Sequence, residues 1–197
     1  MYNTIDTIAA IATAMDGAPT RVKADLMDVL VSRNAKAALP GMMSFTHSMD
    51  PKLYPAAFNA VSRLGDVEQF APLVAALASL RNRAAEEDAE RSVTQFASRL
   101  GAAAKPSEVV LAEYQRATSP AARASLLRVL GETAGPAALE AVIAATNDGN
   151  DAIRDTAVRT LANWPDTSAA APSLTLARNI ERPVYQVLLL RGYLRML

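Results

Sequence analysis

Leucines that close short apolar helices recur at Leu30, Leu64, Leu100, Leu130, Leu161 and Leu194, separated by 34, 36, 30, 31 and 33 residues. A period of about 30 to 40 residues is the length of one helix-turn-helix unit, too small to bury its apolar stripe alone and obliged to stack on copies of itself. The recurrence predicts a repeat protein built of helical hairpins, with a core that runs along the stack.

Four positions of each unit's first helix carry the alignment: the closing leucine and the residues eight, four and three before it. The sets are Val22, Leu26, Met27 and Leu30; Ala56, Ala60, Val61 and Leu64; Ser92, Phe96, Ala97 and Leu100; Ala122, Leu126, Leu127 and Leu130; Ile153, Ala157, Val158 and Leu161. Residues so spaced share one face of a 3.6-residue helix, and Ser92 is the one polar member, so each helix presents a single apolar stripe to its neighbours. In the last unit Gln186 and Arg191 fall on stripe positions, and the stripe is read as Val184, Val187, Leu190 and Leu194.

Punctuation repeats with the same period. Ala18-Pro19, Asp50-Pro51, Ser119-Pro120, Asn150-Asp151 and Arg182-Pro183 each precede an apolar run. Proline at the first helical position loses no needed hydrogen bond, and Asp, Ser or Asn before it caps free amides. Gly65, Gly101 and Gly131 follow closing leucines and are expected to end helices in the left-handed conformation, with Asn163-Trp164-Pro165 as the variant stop. Second helices are expected at 34–47, 67–81, 106–117, 136–146 and 167–179, with apolar residues such as Phe70, Leu73, Val74 and Leu77, or Leu139, Val142 and Ile143, again at helical spacing. An opening helix capped by Asn3, with Asp6 in its first turn and a stripe of Ile5, Ile8, Ala9 and Ala12, is expected to complete a partial unit.

Aromatic residues are only 5% of the chain and strand-type alternation is absent, so packing rests on small and aliphatic side chains between close helices and the fold is all-α. No Ser/Gly-rich linker divides the 197 residues, and residues 1–197 are expected to form one array. With 20 basic and 20 acidic residues the net charge is zero, which disfavours nucleic acid as a partner. The absence of cysteine removes disulfides, thiolate metal sites and a cysteine nucleophile. No basic stretch followed by an apolar run opens the chain and no stretch approaches 18 apolar residues, so the chain is expected to be soluble, with no secretory signal and no membrane partner.

Pro120 to Gly131, with Arg123, Leu127 and Leu130, and Asp151 to Ala162, with Ile153, Arg154, Ala157 and Leu161, resemble the HEAT-repeat pattern of Asp-Pro, Val-Arg, Ala and Leu-Gly. Segments 18–30, 50–65 and 87–101 follow by spacing more than by identity. The chain also resembles HEAT segments of large bacterial multidomain proteins, some carrying a domain of the 3-keto-disaccharide hydrolase type, which implies a spacer or docking role beside an enzyme. The resemblance implies a right-handed α-α superhelix, an armadillo-like solenoid of five to six hairpins, with first helices convex and second helices concave.

Residues with chemical potential each have a structural reading beside a functional one. His47 is the sole histidine, so a histidine-rich metal site such as the di-iron centre of HEAT-like hydroxylases is not buildable, and a helix-end surface position is expected. Glu86, Glu87, Asp88 and Glu90 suit either a cation or the positive end of a helix dipole. Asn147-Asp148-Gly149-Asn150-Asp151 is rich in oxygen ligands but lacks the twelfth-position Glu of a calcium loop, that position being Val158, and reads as a capped turn. Arg123 and Arg154 stand seven residues before successive closing leucines, with Lys23 in the same place in the first unit. They form either a basic ladder for anions or ties to neighbouring acidic groups such as Asp155 and Asp151. Trp164 is either a binding anchor or turn packing. Ser125 and Ser173 have no base in reach in the sequence, so nucleophilic catalysis is not expected.

Two function classes follow. The first is a non-catalytic scaffold without metal or cofactor, whose concave wall offers Glu68, Gln69, Arg81, Glu113, Arg116 and Arg178 to a protein or peptide partner. The alternative is a nucleic-acid-acting protein like the HEAT-like alkyl-purine DNA glycosylases, which need a basic groove, aromatic residues and an acidic catalytic residue. Zero net charge and few aromatics favour the first. The last helix, apolar on several faces through Leu188, Leu189, Tyr193, Met196 and Leu197, is expected to be a site of association or the end of a segment of a longer array.

Overall fold

A computed structural model of the chain describes residues 14, 15 and 17–197. The expected opening helix, with Asn3, Ile5, Asp6, Ile8, Ala9 and Ala12, lies outside the described residues. Eleven α-helices lie wholly within the described residues, which contain no strand: α1 Thr20–Ser32, α2 Leu39–Phe45, α3 Leu53–Leu64, α4 Val67–Ala78, α5 Glu86–Leu100, α6 Pro106–Arg116, α7 Pro120–Thr133, α8 Pro136–Ala145, α9 Asp151–Ala162, α10 Ala170–Asn179 and α11 Pro183–Met196. The fold is all-α. Single turns of 3-10 helix at Lys36–Ala38, Ala102–Ala104 and Thr167–Ala169 precede α2, α6 and α10.

Two compact units divide the chain, Met1–Ala104 and Lys105–Leu197. In the first, α3 packs against α1, α2, α4 and α5. In the second, α9 packs against α7, α8 and α11, α6 lies on α7 and α8, and α10 pairs with α11. Within each unit the odd-numbered helices stack on one another and the even-numbered ones complete the hairpins.

Of the expected start signals, Ser119-Pro120 and Asn150-Asp151 cap their helices and Pro183 opens α11 without a side-chain cap, whereas Pro19 and Asp50-Pro51 lie before the first positions of α1 and α3. Ser119 Oγ accepts from the Ala122 amide at 3.5 Å and Pro120 opens α7. Asn150 Oδ1 accepts from the amides of Ala152 at 3.0 Å and Ile153 at 3.3 Å, so an oxygen-rich turn serves as the cap of α9. A capping box starts α4, where the Asp66 amide donates to Gln69 Oε1 at 2.8 Å.

All eight stripe residues of α7 and α9 are buried, and each large aliphatic among them contributes about 1.5–3 kcal/mol by leaving water. In unit 1 the stripe is less complete: Val22 is exposed, Leu26 and Ala56 are half-buried, and Leu100, expected to be buried, is half-buried at the end of α5. The buried face of α5 closes one turn earlier, on Phe96, whose ring packs edge-on against Phe70 at 5.4 Å between centroids.

Two of the three glycines expected in the left-handed region are not there. Gly101 is, at φ 73°, but Gly65 is extended and Gly131 lies inside α7, which stops later, at Ala134 and Gly135 with φ of 52° and 108°. Gly65 and Gly131 are required by proximity instead. A Cβ on Gly65 would meet the Phe96 ring at 3.0 Å, and one on Gly131 would meet Thr160 Cγ2 at 2.5 Å.

The last helix differs most from expectation. Val184, Val187, Leu190 and Leu194, read as its buried stripe, are all exposed, and the buried residues are Tyr185, Leu189, Gly192 and Met196. Close packing explains the change of face: Gly192 sits directly on the backbone of Ala162 in α9, as Gly131 of α7 sits on Thr160. In both contacts the residue after one closing position meets the residue before the next, which makes Tyr193, not Leu194, the sixth closing residue.

Candidate functional site

The arginines seven residues before the closing positions are engaged. Arg123 on α7 donates through Nη1 to Asp148 at 3.0 Å and through Nη2 to Tyr114 Oη at 2.8 Å, with its guanidinium 4.9 Å from the centre of the Tyr114 ring. Arg154 donates to the Asp148 carbonyl at 2.8 Å and pairs with Asp151, which also receives Arg182 Nη2 at 2.9 Å. The Arg154 and Arg182 guanidiniums hold the Asp151 carboxyl below the usual carboxylate range. These bonds tie α6, α7, α9 and the start of α11 through one turn. The partner of Arg123 is Asp148, while Asp155 is bonded to Arg159 at 2.7 Å. Lys23 lies 4.9 Å over the Phe45 ring.

Other singled-out residues are built into the scaffold. Trp164 is fully buried and donates Nε1–H to Ser168 Oγ at 3.1 Å, so it packs the turn and offers no exposed anchor. In the acidic cluster, Glu86 pairs with Arg83, Asp88 with Arg91 at 2.8 Å, and Glu90 is buried. Among the described residues no group of three or more Asp, Glu, His or Cys side chains is placed to hold a metal ion. Ser173 Oγ is buried without a hydrogen-bond partner. His47 is exposed beside a cleft of about 520 Å³, lined also by Met49, Ser79 and Arg81, and Asn82 Nδ2 donates to the Met49 carbonyl at 2.9 Å.

The six residues proposed for a partner surface divide between the units. Glu68, Gln69 and Arg81 belong to unit 1, and Glu113, Arg116 and Arg178 to unit 2. Glu68, Arg81, Arg116 and Arg178 are exposed on or after the even-numbered helices. Gln69 is occupied in the capping box of α4, and Glu113 is half-buried, with Arg116 3.8 Å away.

One basic feature went unremarked in the sequence. Arg128, Arg159 and Arg191 occupy the same register in α7, α9 and α11, two residues before Leu130, Leu161 and Tyr193, and all three are exposed. The first two are separated by the repeat period, but the third is recognised only once Tyr193 replaces Leu194 as the closing residue. Arg159 and Arg191, with Arg195, border a groove of about 230 Å³ between α9 and α11, floored by Ala162 and Gly192. Arg195 is held there by bonds from Nη2 to the carbonyls of Trp164 at 2.6 Å and Ala162 at 3.3 Å.

The sequence model of the HEAT repeats family matches residues 107–186. Residues 107–186 are HEAT repeats. The HEAT segment lies within unit 2, spanning α7 to α10 with most of α6 and the start of α11, where the four-position stripe is unbroken and the arginine ties are formed. HEAT repeats are helical scaffolds that typically mediate protein interactions. Among solved structures, a crystal structure of an engineered protein is similar at 14% identity over 96% of each chain, with a TM-score of 0.49. No curated protein matches the chain.

Proposed function

We propose that the chain is a non-catalytic scaffold that binds a protein or peptide, with its two units continuing one repeat array. The observation that supports this reading most is the HEAT segment at 107–186, whose buried and charged side chains are spent on holding helix to helix. Asn150 caps α9, Asp148 and Asp151 pair with Arg123 and Arg154, and the sole histidine stands at a cleft in unit 1. The exposed residues on or after the even-numbered helices, Glu68, Arg81, Arg116 and Arg178, then supply the polar contacts, while Gln69 and Glu113 hold the local structure around them.

Selection of a displayed peptide library on the purified chain tests the reading. Peptides that bind in micromolar titrations and lose affinity with Glu68→Lys in unit 1 or Arg116→Glu in unit 2 are the expected result. Salt-dependent shift of duplex DNA at similar protein concentrations, with no peptide enriched, would overturn it.

A further inference from the structure

Two turns wall the cleft of about 520 Å³ in unit 1, residues 46–49 after α2 and residues 79–81 after α4, and its size is that of a small-molecule site. No Asp or Glu lines it, and the two carboxylates nearest along the chain are occupied, Asp50 by the Lys52 amide at 2.8 Å and Glu86 by Arg83. Thr46 and Ser79 donate their hydroxyl protons to the carbonyls of Met43 at 2.7 Å and Ala76 at 3.0 Å, in the helices they follow. Ser48 Oγ accepts from the Asp50 amide at 3.1 Å and keeps its own proton, while His47 and Arg81 are exposed and neither is hydrogen-bonded or ion-paired to another described residue. The donors open to a ligand are therefore the Arg81 guanidinium, the His47 imidazole and the Ser48 hydroxyl.

The corresponding turn of unit 2 carries its own anion. Thr146 Oγ1 donates to the Ile143 carbonyl at 2.7 Å as Thr46 does to Met43, and the Asn150 amide donates to Asp148 at 2.9 Å as the Asp50 amide does to Ser48. Asp148 brings a carboxylate to Arg123, whereas Ser48 makes the same turn without a charge, and His47 stands in the place of Asn147. In unit 1 the anion has to come from outside. Arg81 is the one full positive charge among the lining residues, which matches a monoanion and leaves a phosphate dianion half-neutralised. Met49, 56% exposed, and Leu80 add an apolar wall. We propose that this cleft binds a carboxylate carried on an aliphatic body, the carboxylate on Arg81, His47 and Ser48 and the body against Met49 and Leu80. A free short-chain acid and the apolar C-terminal residue of a peptide share this chemistry. The inference goes beyond the scaffold reading, because it gives one residue of that surface, Arg81, a defined ligand.

His47 is the sole histidine, so its ring protons report on this cleft alone in proton NMR of the intact chain. At fixed pH and ionic strength, hexanoate and N-acetyl-leucine are each expected to shift them saturably, whereas N-acetylleucinamide, with the same body and no charge, is expected to leave them in place. Tighter binding of N-acetyl-leucine than of hexanoate assigns the site to a peptide end, and the reverse to a free acid. Arg81→Gln is expected to weaken the carboxylates at least about tenfold, and Met49→Ser to weaken hexanoate by about threefold or more. Both side chains are exposed, and an unchanged circular dichroism spectrum shows that the fold survives. Equal shifts with the amide, stronger binding of inorganic phosphate, insensitivity to Arg81→Gln, or no saturable shift with either carboxylate would each overturn the proposal. Library peptides that bind while neither carboxylate moves the His47 signals would end this inference and leave the scaffold reading standing.

Discussion

A Cβ placed on Gly192 would lie 2.8 Å from the Cα of Ala162, so the contact between α11 and α9 is one of backbone on backbone. No side-chain rotation relieves such a contact. Gly192→Ala is therefore expected to lower stability by about 1–2 kcal/mol, overpacking outweighing a helix-propensity gain of about 1 kcal/mol. Gly41 in α2 is exposed with nothing within 4 Å of its would-be Cβ, so Gly41→Ala is expected to stabilise by about 0.5–1 kcal/mol. Urea denaturation midpoints of the two variants, moving in opposite directions, would confirm the assignment.

Leu130 and Leu194, both read as closing residues in the sequence, are not equivalent. Leu130 is fully buried between α7 and its neighbours, and Leu130→Ala is expected to cost about 2–5 kcal/mol by leaving a cavity. Leu194, exposed on α11, is expected to change stability by less than about 0.5 kcal/mol when replaced by alanine. Equal losses in chemical denaturation would contradict the register proposed for α11.

Ser173 carries a buried hydroxyl without a hydrogen-bond partner on α10. Desolvating such a group costs about 1–3 kcal/mol, and alanine also favours the helix. Ser173→Ala is expected to raise the thermal midpoint, and a lowered midpoint would show that the hydroxyl has a stabilising role.

Asp151 is held below its ordinary value of 3.8 first by the bond from Arg154 and then by that from Arg182. A carboxyl depressed in the folded state binds its proton more readily once unfolded, so its stabilising contribution is present above about pH 4 and lost as pH falls through the lower folded value. Asp151→Asn is expected to be less stable than the parent at neutral pH and to show a shallower loss on acidification below 3.8. Denaturation midpoints measured from neutral to acid pH, with parallel curves for the two proteins, would sink this assignment.

Much of the architecture was legible in the chain because its causes are local and periodic. Stripe residues three and four apart define a helix face wherever they occur, and Ser119-Pro120 and Asn150 mark helix starts through bonds made within three residues. The candidate surface was only partly legible. Gln69 is polar in the sequence whether it caps a helix or meets a partner, and the fold assigned it to the cap.

What the sequence by itself determined was therefore the all-helical class, the repeat length and most helix boundaries, since each depends on neighbours along the chain. The tertiary structure decided which face of each helix meets the next. Leu190 and Leu127 have the same side chain at the same register, yet Leu127 is covered and Leu190 is 40% exposed. Burial is set by the element packed across the face, and for α11 that face followed from how closely Gly192 approaches Ala162.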